Sequence, residues 1–94
     1  MEGLGDPIRL RLLSRPGCHL CEEMRREVEA YLSDRARTWE VVDVDSDPEL
    51  ARRYGEVIPV LFVNGRLFAR IRLPRLAARL RLLRAAASGS SSRR

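Results

Sequence analysis

The sequence predicts a single α/β domain of β-α-β-α-β-β-α order, with a mixed four-stranded sheet flanked by helices. Three observations lead there. Short β-rich runs alternate with amphipathic helical segments, the pattern of strands joined by crossover helices. Strands connected through helices run parallel to one another. Asn64-Gly65 stands between two strand-like runs as a two-residue hairpin signal, which makes the last two strands antiparallel.

Each element has its own signature. Residues 8–14 read as a strand, because Ile8-Arg9-Leu10-Arg11-Leu12 alternates apolar and charged side chains. Ser14-Arg15-Pro16-Gly17 reads as a turn. Residues 18–33 read as a helix: Glu22 and Glu23 suit its positive end, and Met24, Val28, Tyr31 and Leu32 form an apolar stripe. Thr38 to Asp43, with Trp39, Val41 and Val42, and with Val44 following, suits a strand with at least one buried face. Asp47 then caps a short helix that has Pro48 at its first position and Gly55 as its stop. Val60 to Val63 and Leu67 to Ile71 are the two arms of the hairpin. Pro74 is expected to open a last helix with Leu76, Leu80 and Leu83 on its buried face. The domain is drawn at 1–87, and the Ser- and Arg-rich residues 88–94 are expected to form a disordered tail.

A chain of 94 residues with two cysteines must stand on apolar packing rather than on staples. The formal net charge is +5, and every basic residue is arginine. Arg75, Arg79, Arg81 and Arg84 read as a solvated helix face, and the arginine bias fits a GC-rich genome. No aromatic side chains are interleaved with these arginines to stack on bases, so a nucleic-acid partner is not expected. The first residues lack a basic start and an apolar run, and no segment reaches the roughly 20 apolar residues of a membrane span. A cytoplasmic location without a membrane partner is therefore the expectation. In such a reducing compartment a cysteine pair is more often catalytic or metal-binding than structural.

The cysteines form Cys18-His19-Leu20-Cys21, where the strand pattern hands over to the helix pattern. Cysteines at i and i+3 share a helix face, so their sulfurs can bond. A thiol at a helix start faces unpaired N–H groups that favour an anion, so it ionises easily. That spacing suits a disulfide that opens and closes. Three other readings stand beside it. The thiols can be half of a metal site with His19 as third ligand, completed by Asp, Glu or a second chain. A purely structural disulfide would close a very small loop and stabilise little. The pair can also sit, non-catalytic, in a binding or redox-sensing module.

The element order matches the thioredoxin fold, and the chain resembles the small bacterial glutaredoxin-like proteins over about residues 8–84. The resemblance rests on Ser14-Arg15-Pro16-Gly17-Cys18-His19-Leu20-Cys21, on Val57-Ile58-Pro59-Val60, and on the Asn64-Gly65 hairpin, in that order and spacing. It implies a thiol–disulfide oxidoreductase in which Cys18 attacks and Cys21 resolves. It implies a cis peptide bond at Pro59 and a substrate backbone held by the N–H and C=O of Ile58. Arg15 stands where these proteins usually carry a basic residue, which would lower the Cys18 pKa and attract a carboxylate. His19 has two readings: it adds positive field or a hydrogen bond at the departing sulfur, or it only caps the turn.

The implied substrates are disulfide-bearing proteins or glutathione adducts. The pair would be recharged by glutathione or by a reductase, with no tightly bound cofactor. Iron–sulfur binding is a further alternative, although cluster-bridging relatives typically carry Ser where Cys21 stands. One departure bears on glutathione. Proteins that grip it usually show a Gly-Gly pair followed by an Asp, whereas this chain has Ala69-Arg70 at the glycine pair and Leu73 near the acidic position. Arg70, or Arg72, is then the expected carboxylate-binding residue.

Overall fold

Alternate residues of the first strand carry the core. In the computed structural model, which describes residues 6–90, β1 spans Ile8–Ser14. Ile8, Leu10 and Leu12 are buried on one face, and Arg9 stands in solvent on the other. Strand β2 (Arg37–Asp43) runs parallel to β1, and β3 (Val60–Val63) pairs antiparallel along its other side. Strand β4 (Arg66–Arg70) returns from the hairpin, giving the order β2-β1-β3-β4. The helices are α1 (His19–Tyr31), α2 (Pro48–Tyr54) and α3 (Ala78–Ser90). This is the mixed four-stranded α/β sheet of a thioredoxin-like fold.

Met24 and Val28 of α1, Leu32 just beyond it, and Leu82 and Ala86 of α3 pack on Ile8, Leu10, Leu12, Leu61 and Val63. Leu13 and Val60 are buried on the opposite face, where Tyr54 of α2 meets Phe62 edge-on at 6.1 Å between ring centres. Strand β2 lies at the sheet edge, and none of its residues is fully buried. Its packing is correspondingly modest: Trp39 rests half-buried against the core and Val41 is exposed.

Helix α2 starts as its sequence dictates: the Asp47 carboxylate accepts the Glu49 N–H at 2.9 Å and Pro48 is the first helical residue. Gly55 ends it, as expected, in a right-handed conformation. Its φ is −56°, and an added Cβ would lie 2.5 Å from the Ala51 carbonyl oxygen, so close approach requires the glycine.

Helix α3 departs most from expectation. It begins at Ala78 rather than Pro74, because Ala77 takes a left-handed conformation (φ 56°) that no helix can propagate through. The break resets the helical phase. Leu76 and Leu80 are 79% and 51% exposed, Leu83 is half-buried, and Leu82 and Ala86 hold the core instead. The helical backbone continues to Ser90, past the boundary drawn after residue 87, and residues 91–94 of the expected tail lie outside the described residues. Among the described residues, no helix is long and apolar enough to cross a membrane.

One polar cluster ties α1 to β2. Glu29 accepts hydrogen bonds from Arg37 Nη2 (2.5 Å) and Nε (3.1 Å) and from the Trp39 indole N–H, and the Arg25 guanidinium lies 5.0 Å over the Trp39 ring. The bonds from Arg37, then from Trp39, hold the Glu29 carboxyl down to about 2 from the ordinary 4.5. A carboxylate held below its unfolded value stabilises the fold above that value, so its contribution is lost as pH falls from about 4.5 toward about 2. Urea midpoints measured from pH 6 down to pH 2.5 should therefore fall more steeply for the wild-type chain than for Glu29→Gln. Parallel pH profiles would refute this role for Glu29.

Candidate functional site

The turn before α1 is written in its residues. Gly17 takes φ 79° behind Pro16, and the Cys18 N–H donates to the Arg15 carbonyl at 3.1 Å, the geometry of a type II turn. The turn delivers Cys18 to the N-cap of α1 in an extended conformation. There its Sγ accepts the Cys21 N–H at 3.1 Å, a group that the helix itself leaves unsatisfied. Cys18 and Cys21 are joined as a disulfide with Cα atoms 5.3 Å apart. The two sulfurs are not equivalent. Cys18 is partly exposed, whereas Cys21 faces inward and is 2% exposed. An incoming disulfide can reach the first and not the second.

The Ile58–Pro59 peptide bond is cis. Val60 pairs with Leu13, so Ile58-Pro59 lies at the end of the sheet from which β1 departs for the cysteine turn. The Pro59 carbonyl accepts the Ile71 N–H at 2.7 Å, which anchors the segment after β4 to this loop. The N–H and C=O of Ile58 make no hydrogen bond among the described residues.

Arg15 is committed elsewhere. Its Nε and Nη2 bond the two carboxylate oxygens of Asp45 at 2.7 and 3.0 Å, and Nη1 donates to the Gly55 carbonyl at 3.3 Å. The pair pushes the Arg15 pKa up and the Asp45 pKa down, in each case chiefly through the shared hydrogen bonds. Two opposite charges so joined present little net field to a neighbour. Reduced Arg15→Gln protein leaves Asp45 unpaired and should react more slowly with iodoacetamide at neutral pH. Asp45→Asn frees the cation and should react faster. Identical rates in the two variants would mean that neither charge reaches the sulfur.

His19 is exposed at the first position of α1 and its side chain makes no hydrogen bond among the described residues; the turn is capped by Cys18. Arg70 is exposed at the end of β4, opposite Val60, on the face of the sheet turned away from α1. Leu73, near the expected acidic position, is buried in the core cluster. The arginines that share a groove with α1 are Arg72 and Arg75. With Leu20, Met24 and Ile71 they line a groove of ≈ 480 Å³ between α1 and residues 71–75. Sequence reading missed Arg75 in this role because it was placed on a helix that begins only at Ala78. Among the described residues, no three His, Cys, Asp or Glu side chains gather as a metal site requires.

The chain is similar over most of its length to a solved structure. It is 31% identical to protein Ne2328 from Nitrosomonas europaea, whose solution NMR structure superposes with a TM-score of 0.65 over 72% of this chain and 82% of that one. No curated protein matches it. The family model for the glutaredoxin-like domain (DUF836) matches residues 9–81, which include the cysteine turn, the Ile58–Pro59 loop and the hairpin. The chain therefore belongs to the glutaredoxin-like domain (DUF836) family.

Proposed function

We propose that the chain is a thiol–disulfide oxidoreductase working through Cys18 and Cys21. One observation carries the reading: the partly exposed cysteine is the one at the helix start, where its sulfur accepts an N–H bond, and its bonded neighbour is buried. In the reduced protein the Cys18 thiolate attacks a substrate disulfide R–S–S–R′. A Cys18–S–S–R bond forms, and R′S⁻ leaves and takes up a proton. The Cys21 thiolate then attacks Cys18 Sγ, forming the internal disulfide and releasing RS⁻. Two electrons pass from the dithiol to the substrate, and two thiols of a donor such as glutathione, or a dithiol reductase, return them. The helix-start field favours the Cys18 thiolate, the form that attacks in the first step. The unpaired N–H and C=O of Ile58 suit the backbone of an extended substrate segment. Substrate carboxylates fall to the arginines of the loop, with Arg15 held by Asp45. The setting this chemistry needs is a reducing one, such as the cytoplasm.

The test is a reduction assay on hydroxyethyl disulfide and on insulin, supplied in parallel with glutathione plus its reductase and with a thioredoxin-type reductase. Turnover that depends on Cys18 supports the reading, and the active arm identifies the donor. Absence of turnover in both arms, with both thiols unreactive in glutathione buffers, overturns it.

A further inference from the structure

The groove beside the cysteine turn has walls of opposite charge. Glu23 and Glu27 of α1 form one wall, and Arg72 and Arg75 of the segment after β4 form the other. All four are exposed, and none makes an ion pair among the described residues. Leu20 and Ile71, 44% and 39% exposed, add apolar surface to the same groove. Leu20 lies between the two cysteines in the sequence, so one lining residue of the groove is a chain neighbour of the redox pair.

The arginine wall is held in place by an unusual piece of backbone. Ile71 has φ 70°, and the Arg72 N–H donates to the Arg70 carbonyl at 2.7 Å, closing a γ-turn about a β-branched residue. Such a residue at positive φ is strained and persists only where its surroundings hold it. Here the Ile71 N–H is fixed to the Pro59 carbonyl. The strained turn carries the chain from β4 into the arginine wall, beside the Pro59 loop.

We infer that this groove docks an extended segment of a protein substrate, next to its reactive cysteine, in which acidic and basic side chains alternate. In an extended chain successive side chains point to opposite sides, so alternating charges meet the two walls in turn. The spacing agrees. Glu23 and Glu27 are four helical residues apart, about 6 Å along α1, and side chains two apart on an extended strand are separated by about 6.6 Å. Acidic residues of the segment would pair with Arg72 and Arg75 while the intervening basic residues pair with Glu23 and Glu27. The inference rests on the proposed redox activity and names the substrate class of that site.

The experiment uses the full chain, reduced beforehand, and peptides whose single cysteine carries thionitrobenzoate as a mixed disulfide, so that attack releases a coloured thiolate. Two charged runs of four residues and one neutral run are compared on either side of the cysteine: Glu-Lys-Glu-Lys, Glu-Glu-Lys-Lys and Ser-Ser-Ser-Ser. Hydroxyethyl disulfide gives each protein its own reference rate. The alternating peptide should react about tenfold faster than the block peptide of equal composition at low salt, with the gap closing at high salt. Arg72→Glu/Arg75→Glu should lose that preference, expressed as the ratio of the two peptide rates, and Glu23→Gln/Glu27→Gln should reduce it. Equal rates for all three peptides, with hydroxyethyl disulfide still reduced, overturn the docking inference and leave the redox activity standing. Failure to reduce any disulfide overturns the redox activity and the inference with it.

Discussion

Cys18→Ser protein is expected to lose disulfide reduction by roughly a thousandfold or more, since a hydroxyl in place of the attacking sulfur leaves no group able to start the exchange. Cys21→Ser is expected to differ in kind. Its Cys18 still attacks and forms the mixed disulfide, but the residue that would release it is gone. The substrate should then remain covalently attached until an external thiol frees it, visible as a mass increase in the intact protein. The asymmetry follows from burial: Cys18 meets solvent, and Cys21 faces the interior. Equal activity of Cys18→Ser and wild type would remove Cys18 as nucleophile. Trapping by Cys18→Ser instead of Cys21→Ser would reverse the assigned roles.

The second large effect is on stability, at Asn64. This side chain is buried, and it is the only polar one in the core among the described residues. Its Oδ1 accepts the Arg9 N–H at 2.9 Å and its Nδ2 donates to the Ala86 carbonyl at 2.7 Å, so one residue joins β1, the hairpin and α3. Its φ of 50° is in the left-handed region that asparagine tolerates better than most. Asn64→Ala would leave both backbone partners unpaired, each at about 1–3 kcal/mol. It would also place an alanine in the left-handed region at a cost of about 1–2 kcal/mol. A loss of at least about 3 kcal/mol is expected by urea denaturation. Asn64→Gly loses the same two bonds but avoids the left-handed cost, and should be the milder change. A loss below about 1 kcal/mol for Asn64→Ala would show that water replaces the side chain at both partners.

Asn64 also shows what a sequence does and does not disclose. Asn64-Gly65 reads at once as a hairpin turn, because the turn geometry is local to two residues. The hydrogen bond to Ala86 is invisible, because it depends on where a helix further along the chain comes to rest. The cysteine turn was legible in the same way: Pro16 and Gly17 prescribe the turn, and Cys18 prescribes the cap. The pairing of Arg15 with Asp45 was not, since nothing local distinguishes a free arginine from one held by a partner thirty residues away. The cis bond at Pro59 came from family likeness, not from the residues themselves. The last helix was misphased because Ala77 carries no mark of its left-handed conformation. Shifting the helix start from Pro74 to Ala78 moved Leu76 and Leu80 to the surface, made Leu82 and Ala86 the buried pair, and left Arg75 in the groove.

The placement of β1 inside the sheet bears on how a newly made chain acquires its chemistry. Its neighbour β3 is encoded roughly fifty residues later, a separation that slows pairing. The cysteine segment therefore emerges from the ribosome well before the strand that completes its support. Through that interval the sheet around β1 is incomplete, and the contrast between a partly exposed Cys18 and a buried Cys21 belongs to the finished fold.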